Sequence, residues 1–185
     1  MQLPFVILKP HDMKHLTSPF VLGLLLSTMA LFSADLHGQA IPDVQIKDLE
    51  SRAVSTAQYI TEAQGPVLIC FWATWCSPCK RELNAYADYY REWQDLFGLE
   101  LIAVSIDDPR SVSRVKPYVN AAGWDYSIWL DPNGEFKRAM QVINAPHTFL
   151  VDPATNEVIW QHNSYTDGDE DEVYEQLEIL AGKHD

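Results

Sequence analysis

The sequence predicts an α/β fold: helices packed on both faces of a mixed central sheet. Three observations carry this expectation. Residues 67–72 are a continuous apolar run of strand length, as in a strand buried on both sides, and 99–106, mostly apolar, read as a second buried strand. Between them Leu83, Tyr86, Tyr90, Trp93 and Phe97 recur at spacings of three and four, which is one face of a helix. Further alternation of strand and helix patterns, then a hairpin and a closing helix, gives a three-layer sandwich.

Taken in order, residues 41–64 read as a lead-in with a hairpin, strands 44–46 and 53–55, closed by Gly65-Pro66. The first buried strand follows. The aromatic helix begins at Pro78 and stops at Gly98. After the second buried strand, Val112, Val115, Val119 and Ala122 mark a helix closed by Gly123. Pro117 inside it should kink or shorten it. A strand at 127–130, a turn at Asp131-Pro-Asn-Gly134 and a short helix through Phe136 and Met140 come next. Strands 147–151 and 157–161 flank the loop 152–156, and Val173, Leu177 and Leu180 mark the last helix. The acidic stretch 167–172 suits the positive end of that helix dipole.

Composition narrows function. The 185 residues are 47% hydrophobic, enough for a full core. Lys and Arg number 13 against 26 Asp and Glu, and a net charge of -13 is repelled by phosphate, so no nucleic-acid partner is expected. Three cysteines are too few for a disulfide-stapled miniprotein or a four-thiolate zinc site. Residues 1–40 read as a signal peptide or an uncleaved membrane anchor. Lys9, Lys14 and His15 precede the apolar run 20–32, and Gly38 and Ala40 supply small residues for cleavage after Ala40. Met13 is an alternative start. Either reading puts the single domain 41–185 outside the cytoplasm, in a bacterial periplasm.

The chemistry sits in Trp75-Cys76-Ser77-Pro78-Cys79-Lys80, where a buried strand gives way to an amphipathic helix. Unpaired N–H groups and the positive dipole end at a helix start stabilise an anion, and the thiolate is the reactive form of cysteine. Pro78 fits the first turn, where a missing N–H costs nothing. Cys79 lies one turn further, within reach of Cys76, so the pair can close and reopen a disulfide. A haem attachment site would need His after the second cysteine, and Lys80 is there. A zinc half-site lacks a second ligand cluster. Nothing in the pattern asks for a metal or cofactor. Two alternatives to dithiol exchange are a binding module with a static disulfide and a thiol peroxidase; the Thr-x-x-Cys context of the latter is absent at Thr74.

The segment Phe71-Trp-Ala-Thr-Trp-Cys-Ser-Pro-Cys-Lys-Arg-Glu-Leu83 resembles the active-site segment of thioredoxin-fold proteins, and is most similar to the TlpA/ResA-like extracytoplasmic thiol-disulfide oxidoreductases. The resemblance extends through residues 41–182, including an N-terminal hairpin and a strand-helix insertion around 111–140. It implies a thioredoxin-like fold with Cys76 as nucleophile and Cys79 as resolving cysteine. It implies disulfide-containing protein substrates, and a membrane thiol transporter as electron donor. In Asn144-Ala145-Pro146-His147-Thr148 it implies that Pro146 is cis and that Ala145 pairs with substrate, while Trp75 covers the dithiol. Members of the reductive branch often serve cytochrome c maturation.

The chain departs from the pattern at two places and matches it at a third. Cys70 stands where relatives carry Asp or Asn, and reads as a small buried apolar residue. ResA-like proteins carry a carboxylate after the second buried strand; Asp108 matches better than Asp107, either as a proton shuttle that raises the thiol pKa or as a helix cap. His147 replaces the usual Thr after the proline; protonated, it would favour the Cys76 thiolate, and otherwise it packs.

Overall fold

The structure is a computed structural model that describes residues 38–184. All but the last three residues of the expected leader lie outside the described residues. Seven strands form one sheet: β1 (Gln45–Asp48), β2 (Ala53–Ser55), β3 (Val67–Trp72), β4 (Glu100–Ser105), β5 (Ser127–Leu130), β6 (His147–Asp152) and β7 (Glu157–Asn163). Their spatial order is β2-β1-β5-β4-β3-β6-β7. The central β5-β4-β3 pairs are parallel, and β6, β7, β1 and β2 attach antiparallel. At the outer side of β7, Ala40 bridges Glu157 and the Val158 N–H donates to Gln39 O at 2.9 Å.

Five α-helices cover the sheet: α1 (Thr56–Glu62), α2 (Ser77–Phe97), α3 (Val115–Ala122), α4 (Glu135–Ala139) and α5 (Glu170–His184). The alternation of strand side chains sorts them into layers. Leu68, Cys70 and Trp72 of β3 with Leu101 and Ala103 of β4 point to Leu83, Tyr86 and Trp93 of α2, Val115 of α3 and Val173 and Leu177 of α5. Ile69, Phe71, Ile102 and Val104 point the other way, to Ile60 of α1 and Phe136 beside Met140. The expected mixed-sheet sandwich, hairpin and insertion are therefore all present, with β5 of the insertion wedged between β4 and β1.

One local feature differs from the sequence reading and a second follows it. Residues 56–62 form α1, where the sequence suggests only a lead-in. The helix buries just Thr56 and Ile60, too little for a periodic signal, and is fixed by polar contacts instead. The Ser55 side chain accepts the Gln58 N–H, while Thr56 Oγ1 accepts the Val44 N–H at 2.8 Å and donates to Pro42 O at 2.6 Å. In the helix that the sequence starts at Val112, Pro117 goes with the expected shortening. A 3-10 turn, Val112–Arg114, absorbs the start, α3 begins at Val115, and Pro117 falls in its first turn.

Gly98 ends α2 in the left-handed region at φ 68°, and its N–H caps Gln94 O at 2.9 Å. The turn lies hard against Gly65, where an added Cβ would sit 2.4 Å from Gly98 O. Backbone fills that space, so only a shift of β3 or α2 could relieve the clash. Gly65→Ala is expected to destabilise the domain by about 2 kcal/mol, within the range for overpacking, read as a lowered urea midpoint at unchanged m-value.

Candidate functional site

The site stands where β3 ends and α2 begins. Trp72 is fully buried, the chain turns through Ala73–Trp75, and the Cys76 N–H bonds Ala73 O at 3.0 Å. Cys76 is the N-cap of α2, in extended conformation, and its Sγ accepts the Cys79 N–H at 3.3 Å. The sulfur thus takes the position that a Ser or Asp oxygen fills at ordinary helix starts. Pro78 lies in the first turn. Cys76 and Cys79 form a disulfide with Cα atoms 5.3 Å apart. Cys79 is fully buried beneath Cys76, which retains slight exposure.

Opposite the disulfide, the Ala145–Pro146 peptide is cis, and Ala145 O lies 3.7 Å from Cys76 Sγ. The Ser164 N–H donates to Pro146 O at 3.0 Å and ties this loop to the end of β7. Trp75 projects into solvent beside Cys76. Cysteine pair, Ala145 and Pro146 are therefore brought together.

Asp108 and His147 each carried two readings, and their contacts are those of the structural one. The Asp108 carboxylate accepts N–H groups of Arg110 and Ser111, the Ser111 hydroxyl, and the Arg110 guanidinium at 2.9 Å. The Arg110 side chain beside it, with Ser111, holds its pKa down at about 2, so it carries no proton to shuttle near neutrality. Of the two readings, the turn-capping one holds. The carboxylate wired to the cysteine loop is Asp107, which is fully buried. It accepts the Thr74 N–H at 2.8 Å, the Thr74 hydroxyl at 2.6 Å and the Ser105 hydroxyl at 3.0 Å. Three donors on one carboxylate fix the residue two before Cys76.

His147 starts β6 on the face opposite Cys79. Alternation sends its neighbour Thr148 toward α2, while His147 stacks on Phe149 at 4.2 Å, and its Nε2 lies 3.1 Å from Gln161 Oε1. Burial lowers its pKa, which favours the neutral ring at neutral pH. It supplies no cation to the thiolate, and the packing reading is the one observed.

The sequence reading missed Glu82. It follows Cys79 by three residues on α2, hence on the same helix face, and is fully buried. Its Oε1 accepts the hydroxyls of Thr148 at 2.8 Å and Tyr86 at 3.2 Å, while Oε2 has no hydrogen-bond partner. Burial raises its pKa to about 7. Cys70 lies fully buried in the same region, and burial, then the Glu82 charge, push its thiol well up, which keeps it protonated. The available signal for Glu82 was its inward position on the apolar stripe, among Cys79, Leu83 and Tyr86. The arrangement offers a dithiol/disulfide at a helix start, a carboxyl poised to exchange a proton near neutrality, and a cis-proline loop facing the outer sulfur. Among the described residues, no group of His, Cys, Asp or Glu is arranged to hold a metal ion.

Comparison with known proteins gives consistent results. Residues 37–159 match the AhpC/TSA family. The thiol-disulfide oxidoreductase ResA of Oceanobacillus iheyensis is 32% identical over 117 residues, which are 63% of this chain and 59% of that protein. ResA of Geobacillus thermodenitrificans is 32% identical over 115 residues, 62% of this chain and 63% of that protein. The chain thus spans about three fifths of the length of these relatives. Among solved structures, a thioredoxin-like protein from Porphyromonas gingivalis is 41% identical, covers 76% of this chain and 90% of its own, and has a TM-score of 0.67. StoA from Bacillus subtilis, 22% identical with 68% and 90% covered and a TM-score of 0.56, shares the fold.

A buried acid with a raised pKa makes folding depend on pH. The native state holds the Glu82 proton up to about pH 7, while the unfolded chain releases it near 4.5. The native state binds more protons in that window, so this contribution to stability is full below pH 4.5, falls as pH rises, and levels off above 7. Glu82→Gln is expected to remove that slope. Its stability relative to the unmutated protein should rise by up to about 3 kcal/mol between pH 4.5 and 8, measured by urea titration at each pH.

Proposed function

The chain belongs to the AhpC/TSA family, and we propose that it is an exported protein thiol-disulfide oxidoreductase that reduces substrate disulfides through Cys76 and Cys79. The observation that carries this reading is the Cys76 Sγ held at the α2 N-cap by the Cys79 N–H, facing the cis-proline loop.

In the reduced protein that N–H and the helix dipole stabilise the Cys76 thiolate. The thiolate attacks one sulfur of the substrate disulfide. The Cys76–substrate bond forms, the substrate S–S bond breaks, and the departing thiolate takes a proton from water. Glu82 then accepts the Cys79 proton, and the new thiolate attacks Cys76 Sγ. The second substrate thiol leaves and the Cys76–Cys79 disulfide forms. Two electrons pass from dithiol to substrate. Glu82 suits the proton step because its pKa of about 7 leaves both forms populated. Asp107 holds Thr74, and with it the loop that aims Cys76.

A membrane thiol transporter outside the cytoplasm is the proposed source of electrons, delivered to the disulfide by the same exchange. The leader and the ResA-like site favour that compartment and net reduction, and cytochrome c maturation is one pathway in which such a reductase would serve. A peroxidase would need Cys76 free to take an oxygen atom from a hydroperoxide. Here the Thr-x-x-Cys context is absent, and the Thr74 hydroxyl is committed to Asp107.

In an insulin-reduction assay with excess dithiol, the domain should turn over, and Cys76→Ser should reduce the rate to background. An unmutated protein that shows no turnover with any dithiol sinks the reading. Cys79→Ala should accumulate mixed disulfides on Cys76, identified by peptide mapping, because the second step is lost. In that variant the Cys76 thiol should titrate below the free-cysteine value of about 8.5, read from thiolate absorbance.

A further inference from the structure

We propose that His162 and Asp169 act through Glu82 as positioning residues for the resolving step, setting how readily the buried carboxyl takes the Cys79 proton. The inference rests on the oxidoreductase reading and deepens it, tying the second half of the exchange to an ion pair at the rim of the domain.

The ion pair belongs to a cluster where β7 meets the start of α5. His162 Nε2 lies 3.2 Å from Asp169 Oδ2, and its Nδ1 lies 3.3 Å from Glu172 Oε2. Trp160, two residues earlier on the same strand, stacks on the ring at 5.8 Å and donates its Nε1–H to Glu172 at 3.2 Å. Asp169 is fixed in turn by the Thr166 N–H at 2.7 Å. Ordinary surface ion pairs are mobile and weakly coupled to anything else. Here the side chains of His162 and Asp169 are only 23% and 26% exposed, and both are held in place.

Strand register carries the cluster to the redox centre. His162 is the cross-strand partner of Thr148, and such partners share a face of the sheet. The Thr148 hydroxyl donates to Glu82 Oε1 at 2.8 Å. Thr148 therefore neighbours both the ring and the buried carboxyl. Burial is the main cause that lifts the Glu82 pKa, its bonds to Thr148 and Tyr86 oppose the lift, and the charge of Asp169 adds to it.

The other groups around the carboxyl leave this charge in command. Cys70 on β3, Tyr86 on α2 and Tyr126 before β5 are pushed up by burial and stay protonated. Burial favours the neutral ring of His147, which faces the other side of β6. Arg81 is exposed and paired with Asp167 at 3.5 Å, and Glu170 accepts the Tyr165 hydroxyl. A negative neighbour favours the protonated carboxyl and a positive one the ionised form. With its ring charged, His162 offsets Asp169, and Glu82 releases its proton more readily. With the ring neutral, Asp169 acts alone and Glu82 holds the proton. In the resolving step the Cys79 S–H bond breaks, the proton joins Glu82, whose Oε2 is without a partner, and the sulfur electron pair attacks Cys76 Sγ. The pair thus grades the base on which that step draws.

The test reads the Glu82 carboxyl by carbon NMR through a pH titration of the oxidised domain. Asp169→Asn should lower its midpoint and His162→Gln should raise it, each by about one pH unit, and His162→Lys should restore it. The acid limb of kcat in insulin reduction should move in the same directions. In Glu82→Gln the His162 ring should titrate with a midpoint displaced by the same amount the opposite way, because the coupling is reciprocal. A Glu82 midpoint that ignores both substitutions overturns the inference. So does a response to Asp169→Asn alone, a His162→Gln displacement that lysine fails to reverse, a ring titration unmoved in Glu82→Gln, or an acid limb that stays in place while the midpoints move. Couplings that appear as expected in a domain that reduces no disulfide instead sink the oxidoreductase reading.

Discussion

The Cys79 N–H reaching back to Cys76 Sγ at 3.3 Å is the contact on which the rest of the site depends. It exists because a fully buried strand hands the chain directly to a long amphipathic helix, so that a sulfur rather than an oxygen becomes the N-cap. The cap satisfies one of the orphan donors of the first turn and concentrates positive potential on the outer cysteine. The burial that makes β3 rigid also makes the contact durable: Trp72 is locked against Trp124 at 4.9 Å and Tyr118 at 5.7 Å, just before the loop begins. The loop itself is short and is pinned from below by Asp107. Asp107 and Trp124 lie in the short segments that leave β4 and α3, both buried, while Trp75 and Ile143 face outward.

Glu82 shows what this placement costs. A carboxyl fully enclosed by apolar side chains, with one oxygen unpartnered, opposes folding whenever it is ionised. Nothing in packing requires it, since Gln or Met would fill the volume. The hydroxyls of Thr148 and Tyr86 offset part of the penalty by bonding Oε1, and they keep the pKa near neutrality, not far above it. Cys70 adds no competing charge there, because the same burial keeps its thiol protonated. The cluster therefore contains one group whose proton is mobile near pH 7, one helical turn from the cysteine that must lose one.

What the sequence made legible followed from periodicity and from local backbone chemistry. Strands 67–72 and 127–130 were readable to the residue because unbroken apolar runs bounded by Gly-Pro or Asp-Pro admit little else. Helix α2 was readable because its stripe, Leu83 to Phe97, runs for about four turns. Helix α1 was not, since its anchors are Thr56 and Ser55 hydroxyls bonding to residues 42–44 and 58, contacts with no repeat. The choice between Asp107 and Asp108 failed for a related reason. Adjacent residues at a strand exit point in opposite directions, so a slip of one exchanges a buried ligand of Thr74 for a solvent-facing partner of Arg110. The two readings of His147, a cation near the thiolate or a packed ring, could not be separated in the sequence, because its side of β6 depends on register, which pairs it with Phe71 and Asn163.

The same register argument explains how the site divides its labour. Side chains of β6 that face α2, beginning with Thr148, reach the proton-handling carboxyl. Those facing away, His147 and Phe149, join the core on the other side of the sheet. The cis peptide before β6 lies opposite Cys76; Ile143 and Asn144 are exposed, while Ala145 packs against the core on the α2 side. One short bend in the chain thus separates the backbone that faces Cys76 from the strand that carries the hydroxyl partner of Glu82.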